Sequence, residues 1–313
     1  MGGNFYCPKI SIKEIFQVMN IDISVIIVNY NTNDYLSGCI SSILSSSFSG
    51  DLEVIVVDNN SLDDSIEKLN PLIDKIKIIK NKDNYGFSKS INIGLSQAKG
   101  QYICIANPDT IVEKDCLSSL YQYMEDNSDF SCLSPKILNS DGSLQISCKR
   151  SFPTITNSIF KMLGIDKFLP NNKVIADYNL LYLDPNKIHS VDVISGAFMF
   201  LRNSLVKKVG LFDERFFLYG EDIDYCRRIY KTGEKIAYFP TAEVIHYKGE
   251  SAKSVPYRAI YEFHNSMIKY YLKYQNEYKF WKINKIFIIV LINIRKYFSY
   301  FFHIIKKVFN RIG

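Results

Sequence analysis

Residues 23–30 read ISVIIVNY, a short run rich in β-branched side chains that ends at polar Asn31 and Thr32. A run this short and apolar, closed by polar residues, predicts a buried strand. A helix follows from about residue 33 to 46, with Leu36, Ile40, Ile43 and Leu44 on one stripe. Residues 52–57, LEVIVV, repeat the strand pattern and stop at Asp58, residues 76–79 form a third strand, and residues 102–106 form a fourth that stops at Asn107. Leu117, Leu120, Tyr121 and Met124 then recur at helical spacing. Strand and helix alternate throughout this half, which predicts an α/β fold with a mostly parallel central sheet flanked by helices. Such sheets place their ligands beyond the carboxyl ends of the strands.

Polar side chains fall where that rule puts a site: Asn29, Tyr30 and Asn31 after the first strand, Asp58, Asn59 and Asn60 after the second, Asn107 and Asp109 after the fourth. Singly, each reads equally well as a cap or turn residue. Together, at three successive strand ends, they read as a site. Residues 145–191 show no strong periodicity and read as irregular structure. The signal returns with a strand over residues 193–201, a short helix, a Gly220-Glu221-Asp222 turn, a helix over 222–231 and two short strands ending near His246.

The chain has 313 residues, 47% hydrophobic and 22% charged, with 15 Gly and 9 Pro, a composition that excludes disordered and low-complexity classes. Seven scattered Cys with no CxxC pair argue against a zinc site and a secreted disulfide framework, and for reduced thiols in the cytoplasm. Residues 1–20 form a leader whose apolar positions are interrupted by Lys13, Glu14 and Gln17, so no signal peptide is read there. The net charge of +6 is unevenly placed. From Lys253 to Gly313, twelve Lys and Arg stand against Glu262 and Glu277, while the preceding residues carry a slight acidic excess. That tail interleaves its cations with Ile, Phe, Tyr and the single Trp281. Its longest apolar run, residues 286–292, is far short of the roughly 20 residues of a membrane span, so the tail is read as lying on an anionic membrane surface. The competing readings are a helical hairpin packed on the body and, less favoured, a nucleic-acid surface; no nucleic-acid partner is assigned.

Five segments in order, VIIVNYN, VVDNNSLD, NYGFSKSINIG, the ANPDT loop and GAFMFLR followed by GLFDERFFLYGEDIDYCRR, resemble the inverting glycosyltransferases of family 2, especially their bacterial rhamnosyltransferase-like branch that builds surface polysaccharides. The resemblance covers roughly residues 23–251. It implies a GT-A fold over residues 21–255, with a nucleotide-binding half at 21–110 and an acceptor and catalytic half at 111–255, followed by the helical tail at 256–313. It further implies an enzyme moving a sugar, possibly rhamnose, from a dTDP- or UDP-linked donor to a hydroxyl of a glycan or lipid-linked glycan, with inversion. The enzyme would sit in the cytoplasm, peripherally on the inner face of the cell membrane.

On that resemblance Asp58 takes the base or ribose of the donor, and Asn29, Tyr30 and Asn31 line the same pocket. Asn84, Gly86 and Asn92 hold the nucleotide sugar; physically, Gly86 frees the backbone to approach a ligand, Ser88 is a candidate cap, and a helix N-terminus stabilises a diphosphate. ANPDT stands where the family has a DxD metal motif, so Asp109 and His246 are assigned to a divalent cation, Mg²⁺ or Mn²⁺. Asn107 occupies the first acidic position and leaves that ion one carboxylate fewer, which weakens the assignment. Asp222 is assigned as general base and Glu221 as the group that orients the acceptor or the helix, while Asp224 is read as pairing with Arg227 or Arg228 on the helix surface. No GxSxG, HExxH, GxxxxGK[ST] or GxGxxG occurs, which removes the familiar hydrolase, zinc-protease, P-loop and dinucleotide readings. A non-catalytic nucleotide-sugar binder and a sugar-phosphate nucleotidyltransferase are the alternative functions.

Overall fold

All seven residues of β1 (Ile23–Asn29) are buried, as a strand covered on both faces requires. The computed structural model describes residues 21–247, 249 and 255–312; the leader at 1–20, Cys7 and Lys253 lie outside the described residues. After β1 come α1 (Asp34–Leu44), β2 (Leu52–Asp58), β3 (Lys77–Lys80), α2 (Phe87–Leu95) and β4 (Tyr102–Ala106). β1 pairs in parallel with β2 and β4, and β2 with β3. The parallel strands predicted for this half are therefore present, with Asn29 and Asp58 in register at their carboxyl ends.

The chain continues through β5 (Thr110–Val112), α3 (Cys116–Asp126), β6 (Phe130–Leu138), β7 (Lys149–Arg150), α4 (Ile155–Leu163), β8 (His189–Ser190), β9 (Val193–Ile194), β10 (Phe198–Arg202), α5 (Asn203–Val209), α6 (Glu221–Lys231) and β11 (Lys235–His246). The main sheet runs β3-β2-β1-β4-β10-β6-β11-β5, with β8 added to β11. β10 is antiparallel to both neighbours, β4 and β6, so the sheet is mixed at its centre.

Three elements depart from expectation. β6 has no alternating pattern and contains Pro135, which cannot donate to a ladder; it is accommodated where the pairing with β11 slips between Phe239 and Glu243. The predicted strand over 193–201 is split at residues 195–197, with β9 pairing β7 in a separate ribbon. The two short strands expected before His246 are one twelve-residue strand, β11, broken only by register shifts. The aperiodic 145–191 stretch contains α4, capped at one end by a Thr154–Asn157 capping box and at the other by left-handed Gly164.

The tail divides into two helices of different character. α7 (Pro256–Tyr274) docks on α6: buried Asp224 accepts hydrogen bonds from Tyr274 (2.8 Å) and Lys273 (2.5 Å) as well as from Arg228 (3.0 Å), and Arg227 donates to the Tyr270 hydroxyl (2.7 Å). The reading of Asp224 as a surface pair is thus corrected, because the carboxylate is wholly buried and ties two helices together. α8 (Trp281–Ile312) folds back antiparallel, with Tyr257 near the start of α7 meeting Tyr300 and His303 near the end of α8. Phe298, Phe301 and Phe302 on α8 are exposed. Residues Asn284–Phe309, with mean hydropathy 1.4, are long and apolar enough to cross a membrane by length and composition. At 1.5 Å per residue they span about 39 Å against a hydrocarbon core of about 30 Å. The uninterrupted apolar run understated this helix, since scattered cations on a long helix do not prevent the remaining surface from being apolar.

The six described cysteines are buried and unpaired, and burial pushes the thiols of Cys39 and Cys226 up to about 12. Such thiols are inert packing groups.

Candidate active site

The carboxyl ends of β1 and β2 form one knot of hydrogen bonds. Buried Asn29 donates through Nδ2 to Asp58 Oδ1 (2.9 Å), Ser61 Oγ (3.0 Å) and Ser65 Oγ (2.9 Å), while its Oδ1 accepts from Thr32 (2.5 Å). Asp58 also accepts from the backbone N–H and hydroxyl of Ser61 (3.2 and 2.6 Å). Asn29 is therefore saturated inside the protein, where it aims the Asp58 carboxylate. Asn31 has φ 51°, Asn33 48° and Asn60 62°, so these asparagines also serve turns that bulkier residues adopt reluctantly. Asn31 Oδ1 accepts from the Leu62 N–H at 2.8 Å, closing the loop over Asp58. Tyr30 remains half-exposed at the sheet edge.

Gly86, at φ 82°, is the residue that starts α2, and Asn84 Oδ1 accepts its N–H at 3.0 Å. Ser88 makes no cap; its buried hydroxyl has no partner among the described residues. The Phe87 N–H donates to the Phe217 carbonyl (2.7 Å), so the 217 segment closes over this helix end. Asn92 is engaged on every side, donating to Phe212 O and Glu214 Oε1 (both 3.0 Å) and accepting from Phe212 N (2.8 Å). It holds the loop that leads to α6. A Cβ on Gly86 would lie 2.5 Å from the Phe217 carbonyl oxygen. Gly86→Ala therefore combines a left-handed φ with a backbone clash and is expected to cost about 1–3 kcal/mol. A thermal melt checks this; an unchanged midpoint contradicts the contact.

At the end of β4 the backbone N–H of Asn107 donates to Ala197 O (2.8 Å). His246 Nε2 lies 3.2 Å from Asp109 Oδ1 and 3.3 Å from Asn107 Nδ2. Its Nδ1 lies 2.9 Å from Gln145 Oε1, and Gln145 in turn donates its amide to Asn139 (3.1 Å). Gln145 thus presents an acceptor to an Nδ1 proton, while Nε2 stands between the Asn107 amide, a donor to it, and the Asp109 carboxylate. Gln145 opens the aperiodic stretch and nothing in its sequence neighbourhood marked it. A carboxylate oxygen and an imidazole lone pair at this separation form a donor set suited to a divalent cation. Among the described residues no group of three or more His, Cys, Asp and Glu side chains gathers to hold a metal, so the protein offers this pair alone.

Glu221 and Asp222 occupy the first turn of α6, after two consecutive left-handed residues, Tyr219 (φ 69°) and Gly220 (φ 80°). Asp222 Oδ2 accepts from Arg150 (2.5 Å) and from the Gly196 N–H (3.2 Å), and Oδ1 accepts from the Ile223 N–H (2.8 Å). Gly196 belongs to the break between β9 and β10. A Cβ there would come within 3.4 Å of the Asp222 side chain, so the break lets a backbone donor approach the carboxylate. Asp222 lines a cleft of about 380 Å³ together with Arg150, Tyr219 and Glu221. A carboxylate offers about four lone-pair positions, and three are taken. One acceptor position is left on a side chain that borders the cleft.

Arg150 was not singled out by sequence, where Lys149-Arg150 looks like an ordinary charged pair. It is buried on β7 and also donates to Ile194 O (2.9 Å); burial opposes its charge, but Asp222 and Tyr178 together outweigh that cost and hold the guanidinium protonated. Glu221 is buried and one of its oxygens has no hydrogen-bond partner among the described residues. Burial, reinforced by the Asp222 charge, raises its carboxyl from 4.5 to about 8. The folded protein therefore holds a proton at Glu221 that the unfolded chain has released between pH 4.5 and 8, so stability falls as pH rises through that window and levels off above it. Glu221→Gln is expected to remove that slope. Melting midpoints across pH 5–8.5 for both proteins check it, and parallel curves contradict it.

The two clusters meet through the chain itself: Asn107 binds Ala197, whose neighbour Gly196 binds Asp222. Tyr219, raised first by burial and then by the nearby charges of Glu221 and Asp109, lies within electrostatic reach of both. Asp58 and Asp109 are not among the residues lining the 380 Å³ cleft, which opens on the Asp222 side.

The fold and this arrangement define a class, the GT-A glycosyltransferases. Solved structures sharing the fold include GalNAc-T7 with UDP, GalNAc and Mn²⁺ (TM-score 0.54, 18% identity, 72% of this chain and 44% of that one) and S. aureus TarS 1-349 (TM-score 0.53, 19% identity, 77% and 65%). Residues 24–209 match the model of glycosyl transferase family 2, and the chain belongs to that family. Among its relatives are a low-salt glycan biosynthesis hexosyltransferase, Agl10, of Haloferax volcanii (28% identical, 77% of this chain and 72% of the relative) and an N-acetylglucosaminyl-diphospho-decaprenol L-rhamnosyltransferase of Mycobacterium tuberculosis (26%, 77% and 81%). The rhamnosyltransferase WbbL of Escherichia coli K12 is 32% identical over 54% of this chain and 64% of its own. The protein is a glycosyltransferase of glycan or polysaccharide synthesis.

Proposed function

We propose that this enzyme transfers a sugar, with rhamnose on dTDP as the first candidate and a UDP-linked hexose as the second, to a hydroxyl of a lipid-linked glycan, inverting the anomeric carbon. The observation that carries the reading is Asp222, oriented by three donors on the wall of the cleft with one acceptor position open. In the reaction the acceptor oxygen attacks C1 as its proton passes to Asp222, and the bond from C1 to the diphosphate oxygen breaks with the electron pair leaving on the diphosphate. Glu221, protonated at neutral pH, donates its O–H to an acceptor hydroxyl and orients it. Asp58, aimed by Asn29, takes the nucleoside, and Tyr30, Asn31, Asn84 and Gly86 border it.

Asp109 and His246 would hold a divalent cation, Mg²⁺ or Mn²⁺, with Gln145 fixing the imidazole and Asn107 beside it. When bound, such an ion neutralises charge developing on the diphosphate. An oxygen and an imidazole nitrogen are ligands such a cation would accept, and the protein would supply these two. Stripping the enzyme with EDTA is expected to lower turnover about tenfold or more, restored by Mn²⁺ or Mg²⁺; full activity without metal contradicts the assignment. α8 is proposed to hold the enzyme at the membrane, and deletion of residues 281–313 is expected to release it from washed membranes. The reading as a whole is tested by a donor panel scored by thermal shift and by nucleotide diphosphate release. Binding with no release from any donor, with or without acceptor, would favour a non-catalytic binder.

A further inference from the structure

The cleft that ends at Asp222 runs outward between three helices, and its character changes along its length. Its inner end is formed by Arg150, Glu221 and Asp222. Its outer walls are apolar, with Ile159 and Met162 from α4, Met267 from α7, and Leu291 and Ile292 from α8. Two cations stand among them: Lys161 of α4, whose charge is spent on Asp166 (3.3 Å), and Arg295 of α8. Among the described residues its guanidinium makes no ion pair with a carboxylate; it lies over the Phe263 ring at 5.7 Å, and burial holds it below its ordinary value. A partly dehydrated arginine without a carboxylate is a site for an anion. Farther along the same helix, beyond the cleft, Phe298, Phe301 and Phe302 are exposed, so the helix that walls the cleft also carries an apolar surface suited to a bilayer.

Resting on the proposed transferase reading, we infer that this cleft seats the prenyl diphosphate carrier of the acceptor, its diphosphate at Arg295, its chain between α4, α7 and α8, and its sugar hydroxyl at Asp222. A single occupant joins all three features: a hydroxyl for the base, an anion for the arginine, and an alkyl chain for the walls. A cleft of about 380 Å³ lies within the range of small-molecule sites.

The test uses the full-length protein in phosphatidylcholine nanodiscs, titrated calorimetrically with farnesyl diphosphate, farnesol and inorganic diphosphate. Farnesyl diphosphate is expected to bind at least tenfold more tightly than either fragment, since loss of two buried methylenes alone weakens binding about tenfold. Leu291→Asn with Ile292→Asn is expected to weaken farnesyl diphosphate at least tenfold, and Arg295→Met to weaken it while leaving farnesol unchanged. Phe302→Asn, on the same helix but outside the cleft, is expected to bind as wild type, and each variant's melting midpoint shows that it is folded. Equal affinity for farnesyl diphosphate and inorganic diphosphate, or displacement at equal affinity by dihexanoyl phosphatidylglycerol, overturns the assignment, the latter making the cleft a seat for bulk lipid. Nucleotide diphosphate release from the donor panel is read in parallel. Release without farnesyl diphosphate binding sinks the cleft assignment alone, whereas lipid binding without release from any donor sinks the transferase reading on which the acceptor role rests.

Discussion

Asp222→Asn is expected to lower sugar transfer about 10³-fold while nucleotide binding is retained. The magnitude follows from the loss of a general base, which contributes about 10²–10⁴-fold. The amide is nearly isosteric and can still accept from Gly196 or Ile223, so α6 should keep its place. What it cannot do is take a proton from an attacking hydroxyl. The measurement is single-turnover transfer alongside a nucleotide titration. Turnover within a few-fold of wild type would remove Asp222 as the base, and the unpartnered carboxyl of Glu221 would be the next group to examine.

Arg150→Met is expected to lower kcat about 100-fold with little change in the KM for donor. The partners of Arg150 are Asp222, Ile194 and Tyr178, none of them in the strand-end cluster at Asp58. Its removal leaves a mostly buried carboxylate without its cation, a loss of about 3–5 kcal/mol in comparable pairs, and frees Asp222 to rotate. Displacing a reacting group by about 1 Å costs on the order of 10²-fold. Arg150→Lys restores the charge, but its shorter side chain does not bring a nitrogen to the place of Nη2, which serves both Asp222 and Ile194, so it is expected to fall between Met and wild type. A uniform loss in kcat and nucleotide affinity, tracking the melting midpoint, would make Arg150 structural instead of a positioning residue.

How much of this was legible depended on whether a signal was local. β1, β2 and β4 announce themselves because a strand buried on both faces is a nearly continuous apolar run. Asp58, Asn107 and Asp109 were visible because a parallel sheet has one ligand-binding edge and polar residues interrupt apolar runs there. β6 was not visible, since Pro135, Ser131 and Ser134 conceal a strand whose burial comes from its neighbours β10 and β11. α4 was passed over although its Thr154–Asn157 box and Gly164 are local signals, because its apolar face is turned to a cleft and not to the main core. Asn29 and Asn92 carried the right residue type in the right motif, yet both spend their amides on protein partners.

By itself the sequence determined the alternating strand-and-helix first half, the order of its strand ends, the acidic start of α6 and the basic, aromatic character of the tail. These follow from periodicity and composition within windows of ten to twenty residues. Only the tertiary structure decided that β10 enters antiparallel, that Arg150 and Gly196 meet Asp222 from 72 and 26 residues away, that Gln145 faces Nδ1 of His246, and that α7 docks on α6 while α8 folds back along α7 and walls the cleft. Those contacts join residues whose own neighbourhoods carry no trace of the partner. Their energy comes from burying a charge or an amide beside its complement, a condition that exists only once the chain has closed.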